Sequence, residues 1–480
     1  MTDFKALIEA DTGQTARSIQ ILDTGNFEDW LKGQPDSIRA MVTACQFSGK
    51  PDTFLLLPRA GTRSDDKTVA DDFSVVAGVT DHDKLDSWSL ARLGSGLPEG
   101  RYRLHETSAK GTLFGWLIAQ HEFDRYKELP DRQGPSVLLV GDAIAQKDEA
   151  VRQAEATAMV RDMVNTPAAD MGPDRLEEIV DKLAEKHGGE LKVTRGDTLE
   201  EHFPMIYGVG KAAMRAHAPR LIELKWGKAD HPKIAIVGKG VCFDSGGLSM
   251  KTGAGMLLMK KDMGGAAHAI ALARMVMEAG LPVRLHLLVP AVENAIDANA
   301  LRPGDILNSR KGLTVEVTNT DAEGRLVLGD ALTLAGESEP ERIIDFATLT
   351  GAARVALGPD LPAMFCDDRE MADGLLQAGE AESDPLWQMP LWSGYDSMLS
   401  SPIADCVTSA GRRSAGITGQ LALFAGTIRG VGKVFAGNSR SGAYDLQRTI
   451  CPSRRATWRP AAGRKPGLRR IAAQRKRSPE

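Results

Sequence analysis

Asp321, Glu323 and Arg325 alternate within the stretch NTDAEGRLVLGDAL, Asn319 to Leu332. A second group of ionisable residues lies upstream in VGKGVCFDSGGLSMK, with Lys239, Asp244 and Lys251 set among four glycines. MKKDMGGAA then adds Asp262. Brought together, the four carboxylates would repel and raise one another's pKa. Divalent cations remove that repulsion. Oxygen-rich clusters suit Mg, Mn or Zn, and shared carboxylates suit a pair of metals about 3.5–4 Å apart. His268 is the one histidine near these clusters, and HExxH is absent, so a metal site here would be carboxylate-dominated. Each feature also has an ordinary reading. An isolated Asp-x-Glu-x-Arg is usually a solvated ion-pair run. GKG alone is a tight turn, and Gly240 after Lys239 excludes a phosphate loop. His268 and Cys242 read as packed residues, and Met256, Met259 and Met263 as lining or core. The co-occurrence of the clusters favours chemistry, because the glycines let the backbone approach a ligand.

The elements around these residues alternate between strand and helix. KIAIVG, VRLHLLVPAV, GLTVEVTNT and RIIDFATLTG read as strands, and GGAAHAIALARMVMEAG and RLVLGDALTLAGE as helices. PDRLEEIVDKLAEKHGG reads as a helix with Asp174 near its start and Gly188 after its end. This pattern predicts an α/β catalytic domain whose central sheet is mixed but largely parallel and flanked by helices. All the clusters are expected at strand ends of that one sheet, where such folds bind ligands. Val315 and Val317 are placed in the strand that leads to Asp321. Upstream, TFLLLP, FSVVAGV and SVLLVGD read as buried strands and LFGWLIAQHEF as a strand or short helix. They form a smaller N-terminal α/β domain with no catalytic constellation. The boundaries are 1–146 for that domain, 147–166 for a connecting helix, 167–430 for the catalytic domain and 431–480 for a basic tail.

At 480 residues, two domains are expected. The composition, 42% hydrophobic and 26% charged, is that of an ordinary soluble chain, with no run of about 18 apolar residues for a membrane span. The N-terminus lacks a secretory pattern. Five scattered cysteines argue for reduced thiols in the cytoplasm. Residues 451–480 hold ten Lys or Arg against one acid, so within a total charge of -5 the rest of the chain carries -14. An acidic body argues against nucleic acid as its partner.

NTDAEGRL, VGKGVCFDSGG with Lys251, MKKDMGGAA, RDMVNTPAADMGP and DFATLTGA occur in the order of the leucyl aminopeptidase family, the cytosolic two-metal aminopeptidases, which this chain resembles densely over residues 155–365. The resemblance implies one metal held by Lys239, Asp244, Asp262 and Glu323, and a second held by Asp244, Asp321 and Glu323. The metals would be manganese or zinc, with magnesium or cobalt as alternatives. Lys239 could ligate only as the neutral amine, which requires a lowered pKa. By the same resemblance, Lys251 polarises the scissile carbonyl and Arg325 holds a bicarbonate that relays a proton. Thr348, Leu349 and Gly351 align the peptide, and Met259 walls the side-chain pocket. The implied activity is release of N-terminal, Leu-like residues from peptides by a cytoplasmic homo-hexamer. Two other readings stay in view: a two-metal phosphoesterase, and nucleic-acid binding through the basic tail. After about Ile417 the chain departs from the family. Residues 418–480 are expected to lack the helix and strand that would complete the last part of the sheet, leaving a less stable and less cleanly hexameric protein.

Overall fold

The structure, a computed structural model, describes residues 2–58, 73–105, 107–127, 134–409 and 432–437, the last as backbone. In the N-terminal part, β1 (Ile8–Ala10), β2 (Arg17–Leu22), β3 (Thr53–Pro58), β4 (Phe73–Gly78), β5 (Gly100–Leu104) and β6 (Ser136–Val140) form one sheet in the order β1-β6-β5-β2-β4-β3. Its pairings are parallel except for the antiparallel β3–β4 edge. Of the two options for LFGWLIAQHEF, the short helix is realised as Leu113–Ile118. It is apolar on nearly every side, and its one polar handle, the Trp116 indole N–H, donates to the Ser136 carbonyl.

The helix Lys147–Asn165 joins the two parts. Ala150, Val151, Ala154 and Ala158 pack into the N-terminal core, whereas Ala156, Val160, Met163 and Val164 pack into the core of the next unit. An alanine-rich surface suits this double duty, because small side chains let a helix lie close to two cores.

The second part contains β7 (Glu190–Arg195), β8 (Arg220–Trp226), β9 (Lys233–Gly238), β10 (Gly240–Asp244), β11 (Arg284–Asn294), β12 (Ile306–Asn308), β13 (Thr314–Glu316), β14 (Arg342–Phe346), β15 (Ala363–Phe365), β16 (Trp387–Met389), β17 (Cys406–Val407) and β18 (Gly432–Gly437). Nine of these make a mixed sheet in the order β16-β15-β18-β14-β9-β11-β8-β7, with β10 continuing β9 along β11. The centre, β18-β14-β9-β11, is parallel. Side chains alternate across the sheet: Ala235 and Val237 of β9 join one core, and Ile236 the other. The helices Pro173–His187 and Gly264–Glu278 cover one face, and Pro204–Gly210 and Glu323–Glu337 the other. Gly188 ends the first of these helices with φ +67°, a left-handed cap as its sequence position implied.

Two expectations are corrected. GLTVEVTNT does not join the main sheet: β13 is three residues long and pairs with β12 and β17 in a separate three-stranded sheet. Val317 lies beyond β13, with its N–H bonded to the Asp305 carbonyl and its own carbonyl accepting from Gly304. Alternating apolar residues report one buried face, and a small side sheet supplies such a face as well as a central one. The second correction concerns residues 418–480. Gly432–Gly437 is β18, parallel to β14 and antiparallel to β15, so the main sheet runs past the boundary placed at residue 430. The rest of the basic tail lies outside the described residues.

Candidate active site

The centre of the site is a one-residue interruption in a long strand. β9 and β10 pair with β11 at the same offset, Lys233 with Arg284 and Gly240 with Ala291, and Lys239 lies between them. Its N–H donates to Phe346 O at 2.9 Å, and its carbonyl accepts from Ala266 N at 2.8 Å, where the helix Gly264–Glu278 begins. That close approach depends on Gly265, since a Cβ there would sit 2.2 Å from Phe346 O. The Lys239 side chain is thereby buried against two carboxylates, with Nζ 2.6 Å from Asp262 Oδ2 and 2.9 Å from Glu323 Oε1.

Asp244 ends β10. Its Oδ1 accepts from Asn294 Nδ2 at 2.8 Å and from Gly246 N at 2.9 Å, and its Oδ2 lies 2.8 Å from Lys251 Nζ. Gly246 and Gly247 turn the chain with φ +88° and +61°, conformations that disfavour any residue with a side chain. Lys251 also pairs with Asp321. Asp262 sits in the turn Met259–Met263, and its Oδ1 accepts from Thr348 Oγ1 at 2.8 Å. Glu323 opens the helix Glu323–Glu337, where the positive end of the helix dipole favours a carboxylate. Arg325 is buried two residues further on, with Nη1 donating to the Thr408 carbonyl.

The electrostatics are those of charges held out of water. Burial opposes the Lys239 ammonium, but Asp262, Glu323 and Asp244 outweigh it and hold its pKa above the ordinary value. Burial likewise opposes the Asp262 anion, yet Lys239 and Lys261 keep its carboxyl well below the usual range. Glu323 goes the other way, raised by burial and by the charge of Asp244. Burial raises Asp321 too. Arg325 is lowered by burial to about 10, which leaves it charged at neutral pH.

Oxygens from Asp244, Asp262 and Glu323 lie within 4.8 Å of one another, and Glu323 Oε2 has no hydrogen-bond partner among the described residues. Buried, undercompensated oxygens of this kind fit divalent cations. The cluster opens on a cleft of about 440 Å³. Its walls include every site residue singled out from the sequence: Lys239, Asp244, Lys251, Met259, Asp262, Asp321, Glu323, Arg325, Thr348, Leu349 and Gly351. His268 and Cys242 keep their ordinary readings. His268 Nδ1 lies 2.7 Å from Gly264 O with its ring stacked on Phe346, and the Cys242 thiol is buried and held well above its usual pKa by desolvation.

Several contributors were not anticipated. Asn294 orients Asp244, and its Nδ2 also donates to Thr320 O. Thr320 Oγ1 donates to Gly246 O at 2.7 Å and accepts from Ser249 N at 2.8 Å, fastening the two catalytic loops together. Gly324 leaves room for Lys239: a Cβ there would lie 2.6 Å from its Nζ. Lys261 and Arg354 also line the cleft. The glycines in these motifs were visible, but which side chain each accommodates is a tertiary fact. Asp23, Asp81 and His82 also gather in the N-terminal domain, where no constellation was expected. There the Asp23 oxygens accept from Gly25 N, Asn26 N and His82 N and pair with His82 Nδ1, an arrangement that locks a turn.

Asp244 at the end of β10, Asp262 in the turn before Gly264–Glu278 and Glu323 at the start of its helix form a carboxylate basket with buried lysines, which is the chemistry of a metal-dependent enzyme. Residues 158–427 match the catalytic domain of the cytosol aminopeptidase family and residues 18–137 the M17 aminopeptidase N-terminal domain, and the chain belongs to this family. It is 41% identical over 349 residues, 70% of each chain, to the probable cytosol aminopeptidase of Syntrophotalea carbinolica. The crystal structure of the cytosol aminopeptidase from Coxiella burnetii superposes with a TM-score of 0.82 at 38% identity, over 92% of this chain and 95% of that one. The bottromycin maturation enzyme BotP in complex with Mn gives a TM-score of 0.75 at 28% identity, over 91% and 93%. The activity is therefore metal-dependent hydrolysis of the N-terminal peptide bond, that of a leucyl aminopeptidase, and neither phosphoester hydrolysis nor nucleic-acid binding is favoured.

Proposed function

We propose that the cleft is the catalytic centre of a two-metal leucyl aminopeptidase in which Lys239, Asp244, Asp262 and Glu323 hold one cation and Asp244, Asp321 and Glu323 the other. The observation that carries this reading is the convergence of Asp244, Asp262 and Glu323 oxygens within 4.8 Å, with Lys239 against two of the three carboxylates. Manganese and zinc suit the donor set best, with magnesium or cobalt as substitutes. When bound, the cations supply Lewis acidity for the substrate's free α-amine and carbonyl and lower the pKa of the attacking water. Lys239 can join as a ligand only by giving up the proton that its three carboxylate neighbours otherwise stabilise, and two dications in the same basket favour that loss.

The remaining steps belong to the chain's own residues. The carboxylates Asp244 and Asp321 hold Lys251 above its ordinary pKa against the effect of burial, so it stays cationic at the cleft wall. From there it polarises the scissile carbonyl and stabilises the oxyanion. Arg325 presents a planar fork suited to a planar anion, and bicarbonate held there would supply a proton relay. Thr348 fixes Asp262 through its hydroxyl. Leu349 and Gly351 align the peptide, and Met259 walls an apolar pocket for a Leu-like N-terminal side chain. We also place the division of the chain at the helix Lys147–Asn165, which shares its residues between two cores. A cytoplasmic homo-hexamer is part of the same reading. Among the described residues no helix is long and apolar enough to cross a membrane.

The test is hydrolysis of a leucine anilide by the purified chain. Chelation should abolish it, readdition of Mn, Zn or Co should restore it, and sizing should give the hexamer. Full activity in exhaustively metal-free protein would contradict the two-metal reading.

A further inference from the structure

The helix that brings Glu323 to the cleft leads, at its other end, to a second cavity of about 300 Å³. At the rise of an α-helix the two ends are about 20 Å apart. On the sheet face that carries Leu221, Ala235 and Leu288 the apolar core stops here, and Glu223, Lys225, Arg284 and His286 line the cavity instead. Glu223 is 2% exposed, and its Oε2 lies 3.1 Å from His286 Nε2. Its Oε1 has no hydrogen-bond partner among the described residues. Lys192, opposite Glu223 across the β7–β8 pair, holds its Nζ 3.4 Å from Oε1, long for a charge-assisted hydrogen bond, on a side chain that is mostly exposed. Burial opposes the Glu223 anion, but His286 and Lys192 outweigh it and hold the carboxyl below its ordinary pKa. A buried carboxylate oxygen without a donor is costly, so Oε1 points to a donor that comes from outside the chain.

The cations of the cavity point to the rest of the ligand. Lys225 follows Glu223 by two residues on the same face of β8, and Arg284 precedes His286 by two on β11. Both are exposed. Lys233 and Glu337, by contrast, are committed elsewhere, to the Ser338 carbonyl and to Arg310. Leu334 and Pro340 supply an apolar wall. We infer that this cavity binds a free apolar α-amino acid, the class of product that hydrolysis of an N-terminal peptide bond releases. The α-ammonium donates to Glu223 Oε1, the carboxylate meets Lys225 and Arg284, and the side chain lies on Leu334 and Pro340. A simple anion would leave Oε1 without a donor, and a simple amine would face Lys225 and Arg284 without a charge to offer them. The site is separate from the cleft and does not depend on which residues there hold the cations.

The test is equilibrium dialysis of radiolabelled leucine against the metal-loaded protein, beside hydrolysis of a leucine anilide. Leucine also enters the cleft as product, so variants identify the second site. Glu223→Gln, and separately the exposed double substitution Lys225→Gln with Arg284→Gln, should each weaken one class of bound leucine by about tenfold or more. Anilide hydrolysis at low leucine should stay within about twofold of wild type, and circular dichroism checks that each variant is folded. 4-Methylpentanoate, which lacks the amine, and 3-methylbutylamine, which lacks the carboxylate, should each compete for this class at least about tenfold more weakly than leucine. Leucine binding that is the same in wild type and in the folded double variant overturns the inference, because all of it then belongs to the cleft. Competition by 4-methylpentanoate as strong as by leucine overturns it too, and makes the cavity a site for simple anions.

Discussion

Glu323 and Lys251 are neighbours in the cleft with different expected roles, and substitution separates them. Glu323 is buried with one oxygen unpartnered among the described residues, as a ligand shared between cations requires. Glu323→Ala should lose bound metal along with rate. Lys251 reaches the cleft through ion pairs to Asp244 and Asp321, and the reading above makes it a cationic donor to the substrate and not a ligand. Lys251→Ala should keep its metals and lose about 10²–10³-fold in kcat, the usual effect of removing one oxyanion donor. Metal analysis beside steady-state kinetics decides the matter, and equal metal loss in both variants would refute the assignment. Gly324 gives a third test. Its missing side chain leaves the space that the Lys239 amine occupies, and Gly324→Ala should displace that amine. Metal content should fall while the melting temperature changes little.

The helix Glu323–Glu337 delivers Glu323 and Arg325 to the cleft, and Asp330 anchors it from inside. Asp330 Oδ2 accepts from Met205 N at 2.9 Å and Oδ1 from Arg310 N at 2.8 Å, tying the helix to the start of Pro204–Gly210 and to the loop after β12. Asp330→Ala leaves these N–H groups without their acceptor and should cost about 1–3 kcal/mol. The pH dependence has a definite sign. Burial pushes Asp330 up to about 6, above its value in an unfolded chain. The folded state therefore binds this proton more tightly, and the cost of keeping the ionised group buried is fully present above pH 6. As the pH falls from 7 to 5 that cost is relieved, so wild type should gain stability relative to Asp330→Ala. Denaturant melts of both proteins at the two pH values measure the difference, and a gap that narrows on acidification would be the wrong sign.

At the scale of the whole molecule, β18 is the unexpected part. It stands between β14 and β15, so among the described residues the edge strands β15 and β16 join the sheet through it. A chain ending at residue 431 should expose the β14 edge, detach β15 and β16, and melt at least ~5 °C below a chain ending at residue 450. Equal melting temperatures would show that the strand contributes nothing to stability. The expectation of a weakened sheet came from reading residues 418–480 as lacking strand pattern. GKVFAG is too short and too rich in glycine to stand out in a basic segment, and its place is set by pairing with a strand about ninety residues earlier.

The catalytic motifs are local in sequence. The type and spacing of Lys239, Asp244, Lys251, Asp262, Asp321, Glu323 and Arg325 pointed to a carboxylate-rich metal centre before any fold was known, and the fold brings all seven to the walls of one cleft. The helices Lys147–Asn165, Pro173–His187 and Gly264–Glu278 were legible from helix-forming composition and end signals, and the strands β9, β11 and β14 from short apolar runs. What the sequence could not settle was which surfaces meet. That β13 belongs to a side sheet, that Lys239 interrupts a strand opposite Phe346, that Gly324 makes room for its amine, and that Lys261 shares Asp262 all depend on contacts between distant segments. Periodicity reports that a residue is buried and which face it is on. Only tertiary packing decides what it is buried against.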